Sequence, residues 1–164
     1  MNAKTRYLLA LTVLGALLIP PPILAQGALK TFGKEIELSR SALQTQRKAL
    51  VAENLGVTEQ ENPEFWSVYS DYRMAMSKPG NRQVKLITDY ADSYVSGKLT
   101  DEEAKRFVKE FLSLQSDALK IRKGYVRKFS KVLPPKKVMR LYQIENKFDA
   151  IVNAELSAQV PLVE

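Results

Sequence analysis

Apolar residues in this chain recur in steps of three and four, and no segment of useful length alternates apolar with polar. Steps of three and four place side chains on one stripe of a helix, whereas a half-buried strand needs a period of two. Leu29, Ile36, Leu43 and Leu50 fall seven apart, as one stripe of a helix running to about Asn54. Phe107, Phe111, Leu114, Ala118, Ile121 and Tyr125 alternate steps of four and three, a seam suited to packing against another long helix. Leu141, Ile144, Phe148 and Ile151 repeat the pattern near the C-terminus. The expected fold is all-α, with four to five helices in long hairpins.

Glycine and proline set the expected breaks. Beyond residue 34 they stand only at Gly56, Pro63, Pro79-Gly80, Gly97, Gly124, Pro134-Pro135 and Pro161. Pro79-Gly80 is expected to kink or end a helix that begins near Pro63, with the pattern resuming from Arg82 to Val95. Gly97 suits the residue just past a helix end. Pro134-Pro135 should turn the chain between its two longest helical stretches, because proline is tolerated in a first turn but not inside a helix. Gly124 lies within a helical pattern, where it costs about 1 kcal/mol against alanine and weakens rather than breaks.

Lys4 and Arg6 precede an apolar run from Tyr7 to Ile19, and no acidic residue occurs before Glu35. This is the form of a secretory signal, closed by Pro20, Pro21 and Pro22, with a cleavage site after Ala25. A bilayer span needs about 20 apolar residues, and three prolines interrupt this stretch, so cleavage is favoured over an uncleaved anchor. Residues 1–25 are therefore expected to be a signal peptide, and 26–164 a single helical domain in the periplasm. The chain carries 25 Lys or Arg against 18 Asp or Glu, formally +7; without Lys4 and Arg6 the balance is 23 to 18, or +5.

Three helix starts align without gaps. They are Val57-Thr58-Glu59-Gln60-Glu61, Leu99-Thr100-Asp101-Glu102-Glu103 and Leu133-Pro134-Pro135-Lys136-Lys137. Each is followed at equal distances by apolar residues: Phe65, Phe107 and Leu141, then Trp66, Val108 and Tyr142, then Tyr72, Leu114 and Phe148. In the first two copies Thr58 with Glu61, and Thr100 with Glu103, have the spacing of a capping box. In the third, prolines replace the cap.

An exported helical protein of this size with such Leu-Thr-led helix starts resembles the Spy and CpxP family of periplasmic stress proteins. The likeness spans roughly residues 56–161. The family signature ends in Gln where this chain has Glu61 and Glu103, and the third copy departs further. The resemblance implies helical hairpins, an antiparallel homodimer and ATP-independent binding of unfolded or envelope proteins. Some relatives sense metals, largely through histidine; this chain has none, so that branch is disfavoured.

Absence of histidine and cysteine also removes zinc sites built on them, haem attachment, disulfides and His-assisted nucleophiles. Oxygen-only metal sites and carboxylate catalysis stay open. The acids Asp101, Glu102 and Glu103, however, sit in a first turn, where the cap and helix dipole account for them. No phosphate loop or nucleophile elbow is present. No catalytic residue, metal site or cofactor is expected, and the chain reads as an interaction protein rather than an enzyme.

Two clusters are candidates for that interaction. From Ala118 to Ile144 stand Lys120, Arg122, Lys123, Arg127, Lys128, Lys131, Lys136, Lys137 and Arg140, with no acid among them. This basic stretch is expected to attract acidic clients, an anionic membrane surface or another polyanion; nucleic acid is disfavoured for an exported protein. The second cluster is Phe65, Trp66, Tyr69, Tyr72 and Met76. Core packing is expected for Phe65 and Tyr69. Trp66 falls one position off their face, and it, Tyr72 and Met76 are candidates for a client or dimer surface. The alternative to a chaperone is a regulatory module that binds the sensor of an envelope stress pathway; a passive scaffold is a third.

Overall fold

The computed structural model describes residues 45–58, 62–158 and 160–163. The expected signal peptide, the Leu29–Leu43 part of the first stripe and Glu61 lie outside these. Among the described residues there are four helices and no strand: α1 over 45–55, α2 Pro63–Val95, α3 Asp101–Val132 and α4 Pro135–Ala158. The fold is all-α. No helix among the described residues is long and apolar enough to cross a membrane.

Local chemistry sets most of the boundaries. Gly56 ends α1 at φ +57°, and Gly97 follows α2 at φ +64°, a region that L side chains rarely enter. Around Gly56 the Val57 amide donates to the Ala52 carbonyl at 3.2 Å and the Gly56 amide to Glu53 at 3.3 Å. Around Gly97 the Lys98 amide donates to Ser93 at 3.0 Å and the Gly97 amide to Tyr94 at 3.2 Å. Both are Schellman closures, which satisfy carbonyls that the helix leaves open. At the start of α3 the capping box is complete. The Glu103 amide donates to Thr100 Oγ1 at 3.2 Å, and the Thr100 amide to Glu103 Oε2 at 3.3 Å. At the start of α4 the Pro134 carbonyl accepts from the amides of Lys137 at 2.9 Å and Val138 at 3.0 Å.

The expected Thr58–Glu61 box involves Glu61 and lies outside the described residues. At the start of α2, Asn62 Oδ1 accepts from the Phe65 amide at 2.9 Å, and Pro63 takes the first helical position. Proline fits there because that N–H has no intrahelical partner. Of the two outcomes expected at Pro79-Gly80, a kink or an end, the end does not occur. α2 carries through, although Pro79 has no amide to give to the carbonyl of Ala75. Contacts to α3 on both sides of the proline hold the two halves. Tyr72 meets Tyr125 with ring centroids 5.3 Å apart, and Arg82 bonds Glu110 and Asp117.

α2 and α3 form a long antiparallel hairpin, pairing Phe65 with Phe129 at one end and Ser93 with Glu103 at the other. α4 turns back at Pro134-Pro135 and runs antiparallel to α3, with Phe129 beside Tyr142 and Arg122 beside Asp149. α1 lies against α4, Arg47 reaching Glu145 and Asp149. The helices thus define two regions. A four-helix end buries Val51, Leu55, Val57, Phe65, Trp66, Tyr69, Tyr72, Phe129, Leu133, Val138 and Leu141 in one core. A distal arm, built from the far half of α2 and the near half of α3, buries only Leu86, Phe107 and Leu114, with Tyr90 and Leu99 packed on them.

Candidate functional site

The aromatic cluster is core. Phe65, Trp66, Tyr69 and Tyr72 are buried, so Trp66 and Tyr72 are not a client or dimer surface. Tyr72 is enclosed by Phe129 and Tyr125 of α3, at ring-centroid distances of 5.5 Å and 5.3 Å. Trp66 stands off that face, as its position requires, but α1 covers it. It joins one core with Val51 and Leu55, and Lys48 Nζ lies 5.4 Å from its ring. An extra helix on a second side turns an off-face residue into an interior one. Met76 is partly buried against the same core.

The same end holds a polar network that the sequence reading missed. Glu145 and Asp149, one turn apart on α4, receive arginines from all three other helices. Arg47 Nη1 of α1 donates to Glu145 Oε2 at 2.8 Å and to Asp149 Oδ1 at 3.0 Å. Arg73 Nη1 of α2 donates to Glu145 Oε2 at 2.8 Å. Arg122 Nη2 of α3 donates to Asp149 Oδ2. The Tyr69 hydroxyl completes Glu145 by donating to Oε1 at 2.8 Å, and Arg47 also lies 4.8 Å from the Phe148 ring centroid. Arg47 and Glu145 are 5% and 3% exposed, which only paired charges tolerate.

Burial acts against the Arg47 charge, but Glu145 and Asp149 outweigh it and hold the guanidinium above its ordinary value. Burial, and then the Glu145 carboxylate, push the Tyr69 hydroxyl well above the usual phenol range. Tyr72 moves the same way for the same two reasons, and its hydroxyl lies beside Arg122 without a well-formed hydrogen bond. All four carboxylate oxygens of Glu145 and Asp149 are engaged. The cluster joins helices. Among the described residues no acidic group gathers as a metal would require. The signal for this network was present: Arg47 precedes Val51 and Leu55 at steps of four, and Glu145 lies between Leu141 and Phe148 on the same stripe. A charge inside an apolar stripe calls for an opposite one.

The basic stretch divides into structural and free members. Arg122 belongs to the network, and its own carbonyl accepts from the Tyr142 hydroxyl at 2.6 Å, so it is not part of a free basic face. Lys137 is half-buried and its Nζ reaches the Gly56 carbonyl at 3.5 Å. Lys120 has a loose contact with Asp117 at 3.6 Å, and Lys128 lies 4.2 Å from the Tyr125 ring centroid. Lys123, Arg127, Lys131, Lys136 and Arg140 are exposed and form no ion pair among the described residues. Lys131, Lys136 and Arg140 flank the α3–α4 turn, and Lys123 and Arg127 continue the row up α3. Their neighbours include exposed Val126 and Met139.

Thr100 and Glu103 cap α3, and Glu103 also accepts from the Ser93 hydroxyl of α2 at 3.3 Å, whereas Glu61 lies outside the described residues. The chain matches no family model, and no curated protein or solved structure matches it.

Proposed function

We propose that this is an exported, ATP-independent chaperone-like protein, akin to the Spy and CpxP family, that holds unfolded envelope proteins at the α3–α4 turn. The observation that supports this reading is the exposure of Lys123, Arg127, Lys131, Lys136 and Arg140 toward the α3–α4 turn, without ion pairs among the described residues, beside exposed Val126 and Met139. Five unbalanced bases on one end raise the local potential and draw in acidic chains, which the apolar side chains then retain weakly. Because Trp66 and Tyr72 are interior, the apolar contribution in this mechanism falls to these exposed residues rather than to the aromatic cluster. The protein acts in this reading as a homodimer, with two such ends.

Suppression of aggregation of a chemically unfolded client tests it. At stoichiometric protein the client should stay in solution, and the effect should fall with added salt, since exposed charges are screened over about 8 Å at physiological ionic strength. Absence of suppression, or suppression unchanged in a K131E/K136E/R140E variant, would refute it. A pull-down dominated by one membrane protein would replace it with the sensor-binding reading.

A further inference from the structure

α3 carries a second apolar stripe that no helix among the described residues covers. Val108, Leu112, Leu119 and Val126 are exposed, Val108 and Leu112 at 60% and 59%, and Phe111 borders them at 47%. At 3.6 residues per turn, Val108 and Val126 lie about five turns apart on the same line, and Leu112 and Leu119 fall within roughly 40° of it. The stripe is therefore straight and roughly 27 Å long at 1.5 Å per residue. Gln115 alone interrupts it with an exposed polar side chain. One side of the stripe borders the face that packs on α2, where Phe107, Leu114 and Phe129 are buried. The other side is basic: Lys105, Lys109, Lys123 and Arg127 are exposed and form no ion pair among the described residues. The mid-helix acids do not offset them, because Glu110 and Asp117 are bound to Arg82 of α2 at 2.9 Å and 2.7 Å.

We propose that this face of α3 docks the protein on an anionic lipid surface, lying in the interface plane with Phe111, Leu112 and Leu119 inserted among the acyl chains. The occupant follows from shape and charge together. A polyphosphate would use the bases and leave five large apolar side chains in water. A partner helix would cover the ridge but, unless strongly acidic, would leave the four bases beside it unneutralised. A planar interface accepts a straight ridge, and anionic headgroups neutralise the bases alongside it. The inference goes beyond client binding and does not need it: the two surfaces share Val126, Lys123 and Arg127, but Phe111, Leu112 and Leu119, which insert, lie outside the client surface.

Co-sedimentation of the full chain with vesicles tests it, one set equal parts phosphatidylglycerol and phosphatidylcholine, the other phosphatidylcholine alone. The protein should pellet with the first and stay in the supernatant with the second. L112E/L119E, altered only at exposed positions, should keep its helicity by circular dichroism and lose at least 10-fold in partitioning. F111W provides a direct report, because its emission should shift to the blue with anionic vesicles while the interior Trp66 contributes a constant background. Failure to pellet with anionic vesicles overturns the proposal. So does full partitioning of L112E/L119E or an unshifted F111W emission, either of which places membrane contact elsewhere in the chain. If L112E/L119E instead abolishes only client protection, the stripe is a protein-docking face and the lipid proposal falls, while the chaperone reading stands.

Discussion

The four-helix end and the distal arm of this protein use the same two long helices and hold them together by different means. At the four-helix end, α1 and α4 close over α2 and α3. Eleven side chains are buried in one core there, and the arginines around Glu145 and Asp149 are partly or fully withdrawn from water. In the arm, α2 and α3 have mainly each other. Three side chains are buried, and the polar link from Arg82 to Glu110, Ser113 and Asp117 stays in solvent. The contrast teaches that the number of covering helices, more than composition, decides which apolar residues are interior. Phe111 and Leu114 belong to one seam in sequence, yet only Leu114 is buried, because a single partner helix covers a narrow strip. The C-terminal segment adds one tie, the Tyr90 hydroxyl donating to the Pro161 carbonyl at 2.8 Å.

The largest expected effect would come from emptying the four-helix core. Phe129 is fully buried and touches the rings of Phe65, Tyr72, Tyr125 and Tyr142. F129A should cost about 3–5 kcal/mol in denaturant unfolding, the usual range for a fully buried aromatic. F107A in the arm should cost less and should speed amide exchange near residues 86–114 while sparing the four-helix end. Equal costs and uniform exchange would mean that the two regions unfold as one unit.

E145Q comes next. It removes the charge that Arg47 and Arg73 share, and breaking such a buried pair costs about 3–5 kcal/mol. A double-mutant cycle of E145Q with R47M should recover part of that loss, because the second change removes the stranded cation. Strict additivity would show that the pair is not coupled.

Alkaline titration separates the regions further. Tyr69 is held neutral by burial and by Glu145, so its folded-state pKa lies above the ordinary 10.0. Its contribution to stability is complete below pH 10 and is lost as pH rises beyond that, because the unfolded chain ionises first. Y69F should flatten the fall in stability above pH 10. In the arm the sign is opposite. The hydrogen bond from Arg82 holds Asp117 below its ordinary 3.8, so that contribution is present above pH 3.8 and fades as acid protonates the carboxylate. R82M should weaken this acid dependence, leaving the smaller effect of Lys120; an unchanged acid profile would remove the Arg82–Asp117 link from the account.

The smallest effect is a gain. Gly124 lies within α3, and an added Cβ would meet nothing within 4 Å. G124A should raise stability by about 0.5–1 kcal/mol, read as a shift in the denaturation midpoint with an unchanged slope. A loss would show that this part of α3 needs the extra backbone freedom.

Much of the fold could be read directly from residues. The all-α class, the Thr100–Glu103 cap, the closure at Gly97 and the turn at Pro134-Pro135 rest on interactions within a few positions of the chain. The misplaced residues all depend on a distant partner. Leu50 was placed on the buried stripe, yet it is exposed while Val51 and Leu55 are interior, because α1 turns toward α2 and α4. Ile151 extends the stripe of α4 but lies beyond its cover. Arg122 looked like one free base among nine until Asp149 of α4 came to meet it. Pro79-Gly80 allows a kink or a break in sequence, and contacts to α3 on both sides keep α2 continuous.

The sequence alone therefore determined most of the helix boundaries, because caps, glycines at positive φ and prolines act through hydrogen bonds only a few residues long. It also determined that the charge gathers near the α3–α4 turn. Only the tertiary structure decided which face of each helix is covered, and so which aromatics are core and which bases are free. Burial is a property of neighbours, and the neighbours of Trp66, Arg122 and Glu145 come from helices tens of residues away. The composition that first read as one basic, apolar helical chain resolves into a closed end held by paired charges and an arm with one apolar face that no other described helix covers.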